Sequence, residues 1–104
     1  MKEAAKTKQY IELIRSWNKT HNLVSQGQVQ NLDDHIEDSL SVFEGVGRVV
    51  VDLGSGGGLP GIPIAIKGPE KQVVLVESSS KKASFLLNTS NKLGLKNVKV
   101  IHAR

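Results

Sequence analysis

The sequence contains no cysteine, so it has neither disulfide bonds nor thiolate metal ligands. Aromatic side chains are scarce, with a single tryptophan among 104 residues. No apolar run approaches the ~20 residues that a membrane-spanning helix needs, and the first residues lack the apolar core of a signal peptide. The three histidines are far apart and have no ligand spacing. We therefore expect a cytoplasmic protein with one small domain, no membrane segment and no metal site.

The most informative segment runs from Asp52 to Gly61, directly after the short apolar run at 48–51. It predicts a buried strand that ends on a carboxylate, opens into a glycine loop and enters a helix at Pro60. Glycines at alternate positions remove the side chains that would keep a ligand away from the backbone, and they permit positive φ in a tight turn. We interpret this loop as a cradle for a nucleotide cofactor.

Two classes of cofactor fit the loop. Gly56, Gly58 and Gly61 satisfy the fingerprint G-x-G-x-x-G, in which a helix N-terminus receives the pyrophosphate of a dinucleotide. The overlapping pattern D-x-G-x-G-x-G, with its acid at Asp52, is typical of S-adenosylmethionine-dependent methyltransferases. A carboxylate near the cofactor suits the methionine ammonium group and repels a pyrophosphate. The residues therefore favour S-adenosylmethionine over NAD, and a glycine turn without a cofactor stays open as an alternative.

A second carboxylate follows the next apolar run. Glu77 ends the segment 72–77 and lies about 20 residues beyond the glycine loop, where an acid at a strand end can accept hydrogen bonds from ribose hydroxyls. We therefore predict that Glu77 binds the ribose of the cofactor. The alternative is an ordinary strand-end acid in solvent.

Charge is unevenly divided along the chain. Before Arg48 there are five basic and seven acidic residues, whereas from Arg48 onward there are nine basic and three acidic residues. Two of those three acids are assigned to the cofactor, so the remaining surface of this half suits a polyanion such as RNA. Lys81 and Lys82 follow Glu77 closely and are the first candidates for phosphate contacts. A lysine-rich surface that serves only solubility is the alternative.

The spacing of apolar residues predicts two N-terminal helices. An amphipathic helix runs from Lys2 to about Asn18, with Trp17 anchoring its packing. A polar loop continues through Gln30, and Asn31 caps a second helix. The apolar face of this second helix is predicted at Leu32, Ile36, Leu40 and Phe43, and its end at Gly45 and Gly47.

From Arg48 onward the pattern alternates between strands and helices. Gly68-Pro69 ends a short helix, a long helix runs from about Ser80 to Leu93, and Gly94 caps it. This βαβαβ alternation predicts a parallel sheet with right-handed crossovers. We therefore divide the chain into an N-terminal helical segment, 1–47, and an α/β cofactor-binding domain, 48–104.

Several residue groups together resemble one family. They are Trp17-Asn18, Asn22-Leu23, His35-x-x-Asp38-Ser39, the loop from Asp52 to Pro63, and Glu77-Ser78 with Lys81-Lys82. This set resembles the bacterial small-subunit ribosomal RNA methyltransferases known as RsmG or GidB. The continuation Gly-Leu-Pro-Gly-Ile-Pro is far more specific than a generic glycine loop. The resemblance covers the chain from about Gln9 and matches the front half of the family's fold.

The resemblance implies a Rossmann-like class I S-adenosylmethionine methyltransferase. Residues 48–104 would then be a partial Rossmann-like domain that holds the first three parallel strands in the order 3-2-1. Its reaction would be methyl transfer to N7 of a guanosine in 16S ribosomal RNA, with that RNA or the small ribosomal subunit as its partner. No catalytic side chain is implied, because guanine N7 carries a lone pair and no proton. It can attack a sulfonium methyl group without a general base, so alignment is what the enzyme must supply.

The resemblance also implies which residues form the sites. Carried over by position, Gly54 and Leu59 are cofactor contacts, and Asp52 and Glu77 are the two carboxylate anchors. Arg104 is a basic residue at the mouth of the site. The predicted cofactor site therefore comprises Asp52, Gly54, Ser55, Gly56, Gly58, Leu59 and Glu77, and the predicted RNA contacts are Lys81, Lys82 and Arg104.

Further expectations concern the end of the chain and the competing functions. A complete methyltransferase sheet continues with more strands, so we expect this chain to be part of a longer protein or a truncated product. A sheet that stops after its third strand would leave the strand at 48–53 with an unpaired edge. We expect the chain to self-associate through this edge. A non-catalytic RNA-binding or assembly module stays open as another function. An NAD(P)-binding oxidoreductase is disfavoured by Asp52 and Pro63.

Overall fold

The structure is a computed structural model that describes residues 3–20, 31–42, 47–54 and 56–103. The helices in this part of the chain are α1 (Glu3–Asn18), α2 (Leu32–Val42), α3 (Gly61–Lys67) and α4 (Ser80–Lys92). The strands are β1 (Val49–Leu53), β2 (Gln72–Glu77) and β3 (Val98–His102). The predicted elements are confirmed with boundary shifts of a residue or two. The predicted polar loop and the predicted end of the second helix, including Phe43 and Gly45, lie outside the described residues.

The three strands form a parallel sheet in the order β1-β2-β3. Val50 pairs with Val73, and Val73 pairs with Val98. The predicted strand order and the parallel orientation are therefore confirmed. Both connections, α3 and α4, step across the sheet in the same direction, and right-handed crossovers then bring both helices to the same face.

The core lies between this face and the helices. Val50, Val73 and Leu75 point into it and are buried under Ile62 of α3 and Phe85 of α4. The N-terminal helices complete the same cluster with Tyr10, Ile11, Ile14, Leu32 and Ile36. Because α1 and α2 pack on the crossover helices rather than on a core of their own, the helical segment supports the α/β part directly. The division at residue 47 stays a prediction.

Trp17 fastens α1 to α4. Its ring centroid lies 5.4 Å from that of Phe85 at an interplanar angle of 68°, which is the edge-to-face arrangement that aromatic pairs prefer. The packing role predicted for Trp17 is confirmed. None of the described helices has the combination of length and apolarity that a membrane span requires.

The opposite face of the sheet is uncovered within the described residues. Val49, Val51 and Leu53 are 64%, 56% and 75% exposed, while Val50 between them is buried. The expectation of a buried strand is therefore wrong at these three positions, because the crossover helices lie on the other face. The same side of the sheet continues into β2 and β3 through the register. We call this surface the bare face, formed by Val49, Val51, Leu53, Val74, Val76 and Ile101.

Candidate functional site

The carboxyl ends of β1 and β2 bring the glycine loop next to the second acid. Parallel strands present these ends at the same edge of a sheet, and open α/β sheets bind their ligands there. Leu53 pairs with Val76, so the loop that leaves β1 lies beside Glu77, the last residue of β2. The amide nitrogen of Gly56 donates a hydrogen bond of 2.8 Å to the Glu77 carboxylate.

Glu77 is nearly buried, with 6% of its surface exposed. One carboxylate oxygen accepts the bond from Gly56, and the other accepts a 2.7 Å bond from the amide nitrogen of Ser79. Burial alone would raise the pKa of Glu77, but the backbone donors at Ser79 and Gly56, together with the positive charge of Lys82, lower that pKa below its ordinary value. Glu77 is therefore ionised near neutral pH, and it ties the glycine loop to the start of α4.

This bracing role of Glu77 carries no signal in the sequence. The partners of its carboxylate are backbone N–H groups, which every residue except proline has. Each carboxylate oxygen can accept more than one hydrogen bond, so bracing the loop is compatible with binding ribose hydroxyls. Ribose binding by Glu77 stays a prediction.

Asp52 closes the loop from its other end. Its Oδ2 accepts a hydrogen bond of 3.1 Å from the amide nitrogen of Gly61, the first residue of α3. Desolvation by partial burial raises the pKa of Asp52, and the bond from Gly61 offsets part of that rise. The carboxylate thus links the strand before the loop to the helix after it. The predicted contact of Asp52 with an ammonium group stays a prediction.

The loop glycines share one backbone property but not one role. Gly54, Gly56 and Gly58 have φ angles of 70°, 56° and 94°, in the left-handed region that favours glycine. At Gly54 a Cβ atom would meet no other atom within 4 Å. The backbone of Gly54 is therefore open to a ligand.

Gly58 and Gly61 are glycines for a different reason. A Cβ atom on Gly58 would lie 2.6 Å from Cγ1 of Ile62, and one on Gly61 would collide with the side chain of Leu75. The space at both positions is filled by the protein's own core. Gly58 lets the loop pack closely on Ile62 and Leu86, and Gly61 lets α3 pack closely against β2. Contact of Gly56, Gly58 and Leu59 with a cofactor stays a prediction, and Leu59 packs partly on the hydrophobic core.

An open cleft of about 660 Å³ lies beside Gly54. Among the described residues, its lining comprises Leu53, Gly54, Val76, Ser78, Ser79 and Ala103. These residues stand at or just after the carboxyl ends of the three strands, and they combine apolar side chains with hydroxyl groups and an open glycine backbone. Its size and lining are those of a site for a small molecule that has both an apolar ring and polar substituents.

Tyr10 reaches the loop from α1, a contact that the sequence analysis missed. Its side chain is fully buried, and its hydroxyl donates a hydrogen bond of 2.8 Å to the carbonyl of Gly57. Burial and the negative charge of Asp52 raise the pKa of Tyr10 well above its ordinary value, so the hydroxyl keeps its proton. Tyr10 lies on the buried face of the amphipathic helix α1, but nothing in the sequence connects it to a glycine 47 positions later.

The predicted RNA contacts lie at the start of α4. Ser79 caps this helix by accepting a 3.3 Å hydrogen bond from the amide nitrogen of Lys82. Lys81 is exposed, and Lys82 is half-buried near Glu77. Phosphate contacts by these lysines stay a prediction. Ser55 and Arg104, the two remaining site residues, lie outside the described part of the chain.

The histidines do not form a ligand cluster in this part of the chain. His102 is exposed, and its Nε2 lies 2.9 Å from the carbonyl oxygen of Ser78. Among the described residues there is no group of three or more His, Cys, Asp or Glu side chains that could hold a metal ion.

Comparison with known proteins identifies a family of similar sequences. A family model described as rRNA small subunit methyltransferase G matches residues 3–104. Proteins named "Ribosomal RNA small subunit methyltransferase G" are 48% identical over 100 residues in Hydrogenovibrio crunogenus and 50% identical over 97 residues in Nitrosomonas europaea. Each alignment covers 91% of this chain and 45% of the relative. In Neisseria meningitidis serogroup C the identity is 40% over 99 residues, covering 91% and 47%. The chain thus spans about half the length of these curated relatives.

A solved structure supports the fold assignment. The chain is similar to a coclaurine N-methyltransferase crystallised with N-methylheliamine and SAH, with a TM-score of 0.57 and 27% sequence identity. The match covers 74% of this chain and 21% of that chain. The predicted fold class, the first three parallel strands of a Rossmann-like class I methyltransferase sheet preceded by helices, is confirmed.

Proposed function

Because this chain belongs to the rRNA small subunit methyltransferase G family, we propose that it forms the S-adenosylmethionine-binding part of an enzyme that methylates N7 of a guanosine in 16S ribosomal RNA. The observation that carries the proposal is the cleft at the carboxyl ends of the strands. The open backbone of Gly54 lines this cleft, and the ionised Glu77 ends the neighbouring strand, where it binds the amide of Gly56. The fold of a methyltransferase crystallised with SAH adds support, since it is shared over 74% of the chain.

The described residues fit this cofactor by their chemistry. The space beside Gly54 would admit the nucleoside close to the backbone, and the Glu77 carboxylate can accept hydrogen bonds from ribose hydroxyls. Asp52, half-buried at the entrance to the loop, suits the ammonium of the methionine moiety, because a carboxylate attracts a cation. When bound, S-adenosylmethionine supplies a methyl group on a positively charged sulfur.

The reaction needs no general base, because the N7 atom of guanine carries no proton that a residue of the chain would have to remove. Guanine N7 attacks with an in-plane lone pair, so the rate depends on aligning that nitrogen with the methyl group in a site that favours the transition state. The bonds from Gly56 to Glu77 and from Gly61 to Asp52 restrain the loop on either side of Gly57. We assign these residues to binding and orientation, and no residue to acid or base catalysis.

The RNA would approach over the basic half of the chain. The exposed lysines in this half include Lys81, Lys92, Lys96 and Lys99. Lys81 and Lys82 are nearest in sequence to the cofactor acid, so we propose that they contact phosphates beside the reacting guanosine. This basic half is also the observation that favours the second candidate function, a non-catalytic RNA-binding or assembly module.

Titration calorimetry distinguishes the two candidates and the dinucleotide alternative. The chain is titrated separately with S-adenosylhomocysteine (SAH), with NAD⁺ and with a fragment of 16S ribosomal RNA. We expect saturable binding of SAH and no binding of NAD⁺. A chain that binds RNA but does not bind SAH would be the non-catalytic module instead. A chain that binds NAD⁺ but neither SAH nor RNA would support the oxidoreductase.

We also propose that the chain self-associates through β1. Among the described strands, β1 pairs with β2 alone, so its other edge presents unpaired backbone donors and acceptors. A second copy carries the same edge and can pair with it across a two-fold axis, which makes the contact self-complementary. The exposed Val49, Val51 and Leu53 add apolar surface next to that edge.

A further inference from the structure

We propose that Tyr10 is a positioning residue for the cofactor loop: its buried hydroxyl holds the carbonyl of Gly57 and so fixes the backbone that receives the ligand. The role extends the site from the sheet into α1, a helix outside the βαβαβ unit. The identity of the ligand rests on the proposed function, whereas the effect of Tyr10 on the loop does not.

The contact is specific and fully enclosed. Tyr10 is 0% exposed, and its hydroxyl donates to the Gly57 carbonyl at 2.8 Å. Gly57 is itself buried. If the hydroxyl were removed, this carbonyl would lose its partner in a place where an unpaired acceptor is costly. The loop would then move to satisfy the carbonyl elsewhere.

The loop needs such a restraint because its glycines are intrinsically mobile. Gly56 and Gly58, on either side of Gly57, both have positive φ, and glycine occupies many backbone conformations at little cost. Glu77 restrains the loop through the amide of Gly56, and the amide of Ile62 donates a 2.7 Å bond to the carbonyl of Gly58. Tyr10 acts between these two points, because the Gly57 carbonyl that it binds lies between the amide of Gly56 and the carbonyl of Gly58.

The hydroxyl keeps its role as a donor over a wide pH range. Burial, and to a smaller extent the charge of Asp52, raise the pKa of Tyr10, so the proton stays on the oxygen in any solution in which the protein is normally handled. The restraint on Gly57 is therefore constant rather than switched by pH.

The test compares Tyr10→Phe with Thr89→Val. The first change keeps the buried ring and removes only the hydroxyl. The second is a matched control, because Thr89 is also 0% exposed and its Oγ1 has no hydrogen-bond partner within the described structure. Hydrogen–deuterium exchange is measured for a peptide that spans 54–62 and for one from α4, and SAH affinity is measured by calorimetry.

We expect Tyr10→Phe to speed exchange in the 54–62 peptide by about fivefold or more while exchange in α4 stays unchanged, and to weaken SAH binding by about three- to tenfold. Thr89→Val should alter neither quantity. Unchanged loop exchange in Tyr10→Phe would overturn the proposal. If the wild-type chain does not bind SAH but the exchange of the loop still responds, the proposed cofactor is wrong and the positioning role stands.

A second measurement does not depend on the folding of a variant. Tyr10 is the one tyrosine in the sequence. Labelling with 3-fluorotyrosine therefore places the ¹⁹F probe at this position alone, in a chain with no other substitution. Saturation with SAH should shift this resonance, because the ligand tightens the loop that the hydroxyl holds. A chain that binds SAH with no change in the ¹⁹F signal would contradict the proposal.

Discussion

The carboxylate of Glu77 accepts a 2.8 Å hydrogen bond from the amide of Gly56, so the acid that ends the second strand holds the loop that follows the first. The same carboxylate accepts the amide of Ser79 at 2.7 Å. The side chain that we propose to bind the ribose therefore also fixes the shape of the glycine loop. A substitution of Glu77 should therefore change the stability of the loop as well as the binding of the cofactor. A substitution of a residue that only contacts the cofactor should change binding alone.

Glu77→Ala should reduce stability as well as affinity. It removes the acceptor of two backbone N–H groups in a site that is 6% exposed, and we expect the free energy of unfolding to fall by about 2–3 kcal/mol. SAH binding should weaken in parallel. Urea denaturation and calorimetry measure the two effects. Glu70→Ala, at an exposed acid, is the control and should stay within about 0.5 kcal/mol of wild type. A Glu77→Ala protein that keeps wild-type stability would show that the loop is braced elsewhere.

The stabilising effect of Glu77 should depend on pH with a definite sign. Its pKa is lowered from 4.5 in the folded chain, so its contribution is present above about 4.5 and is lost as the pH falls through the lowered folded-state value. The free energies of unfolding of wild type and Glu77→Gln should therefore converge as the solution is acidified below pH 4.5. Asp52 acts in the opposite direction because its pKa is raised. A difference between wild type and Glu77→Gln that grows on acidification would contradict this account.

Gly54→Ala should separate ligand contact from backbone strain. Gly54 and Gly94 have similar positive φ angles, 70° and 65°, and at both positions a Cβ atom would meet no other atom within 4 Å. Alanine should therefore cost each position about 1–2 kcal/mol of stability through the left-handed backbone alone. Only Gly54→Ala should also weaken SAH binding, by about tenfold, equivalent to ~1.4 kcal/mol. Equal affinities of the two variants would remove Gly54 from the cofactor site.

Reversal of Lys81 and Lys82 should weaken RNA binding in a salt-dependent way. If both lysines contact phosphates, Lys81→Glu with Lys82→Glu should reduce the slope of log affinity against log salt by about two. Filter binding over a salt series measures the slope. Lys8→Glu, at an exposed lysine of α1, reports the effect of net charge alone and should change the slope little. An unaltered slope in the double variant would mean that the RNA surface lies elsewhere.

Charging the edge of β1 should oppose self-association. Val50 is 6% exposed and Val51 is 56% exposed, so lysine belongs at Val51, where it charges the bare face without entering the core. Light scattering over a dilution series should show a larger species for wild type that dissociates in Val51→Lys. Lys99→Glu alters charge on the same side of the sheet, away from the β1 edge, and should leave the association intact. A wild-type chain that is monomeric at high concentration would refute the proposed contact.

Most of the fold could be predicted from the sequence, because hydrophobic period and turn chemistry act locally. The alternation after Arg48 was enough for a parallel sheet, and Gly68-Pro69 and Gly94 marked helix ends. The interactions that shape the site were harder. Tyr10 bonds to a carbonyl and Glu77 bonds to amides, and backbone groups have no residue-specific signature. The exposure of Val51 could not be predicted either, since an apolar residue in a strand does not indicate which face of the sheet the helices will cover.

Amide chemical-shift mapping shows whether the cleft beside Gly54 binds the nucleoside of S-adenosylmethionine, as we propose. The ¹⁵N-labelled chain is titrated with SAH and, separately, with NAD⁺. The account predicts saturable shifts confined to amides at 53–58 and 77–79 with SAH, and no saturable shifts with NAD⁺. Absence of saturable shifts with SAH, or shifts that centre on residues remote from the carboxyl ends of β1 and β2, would contradict it.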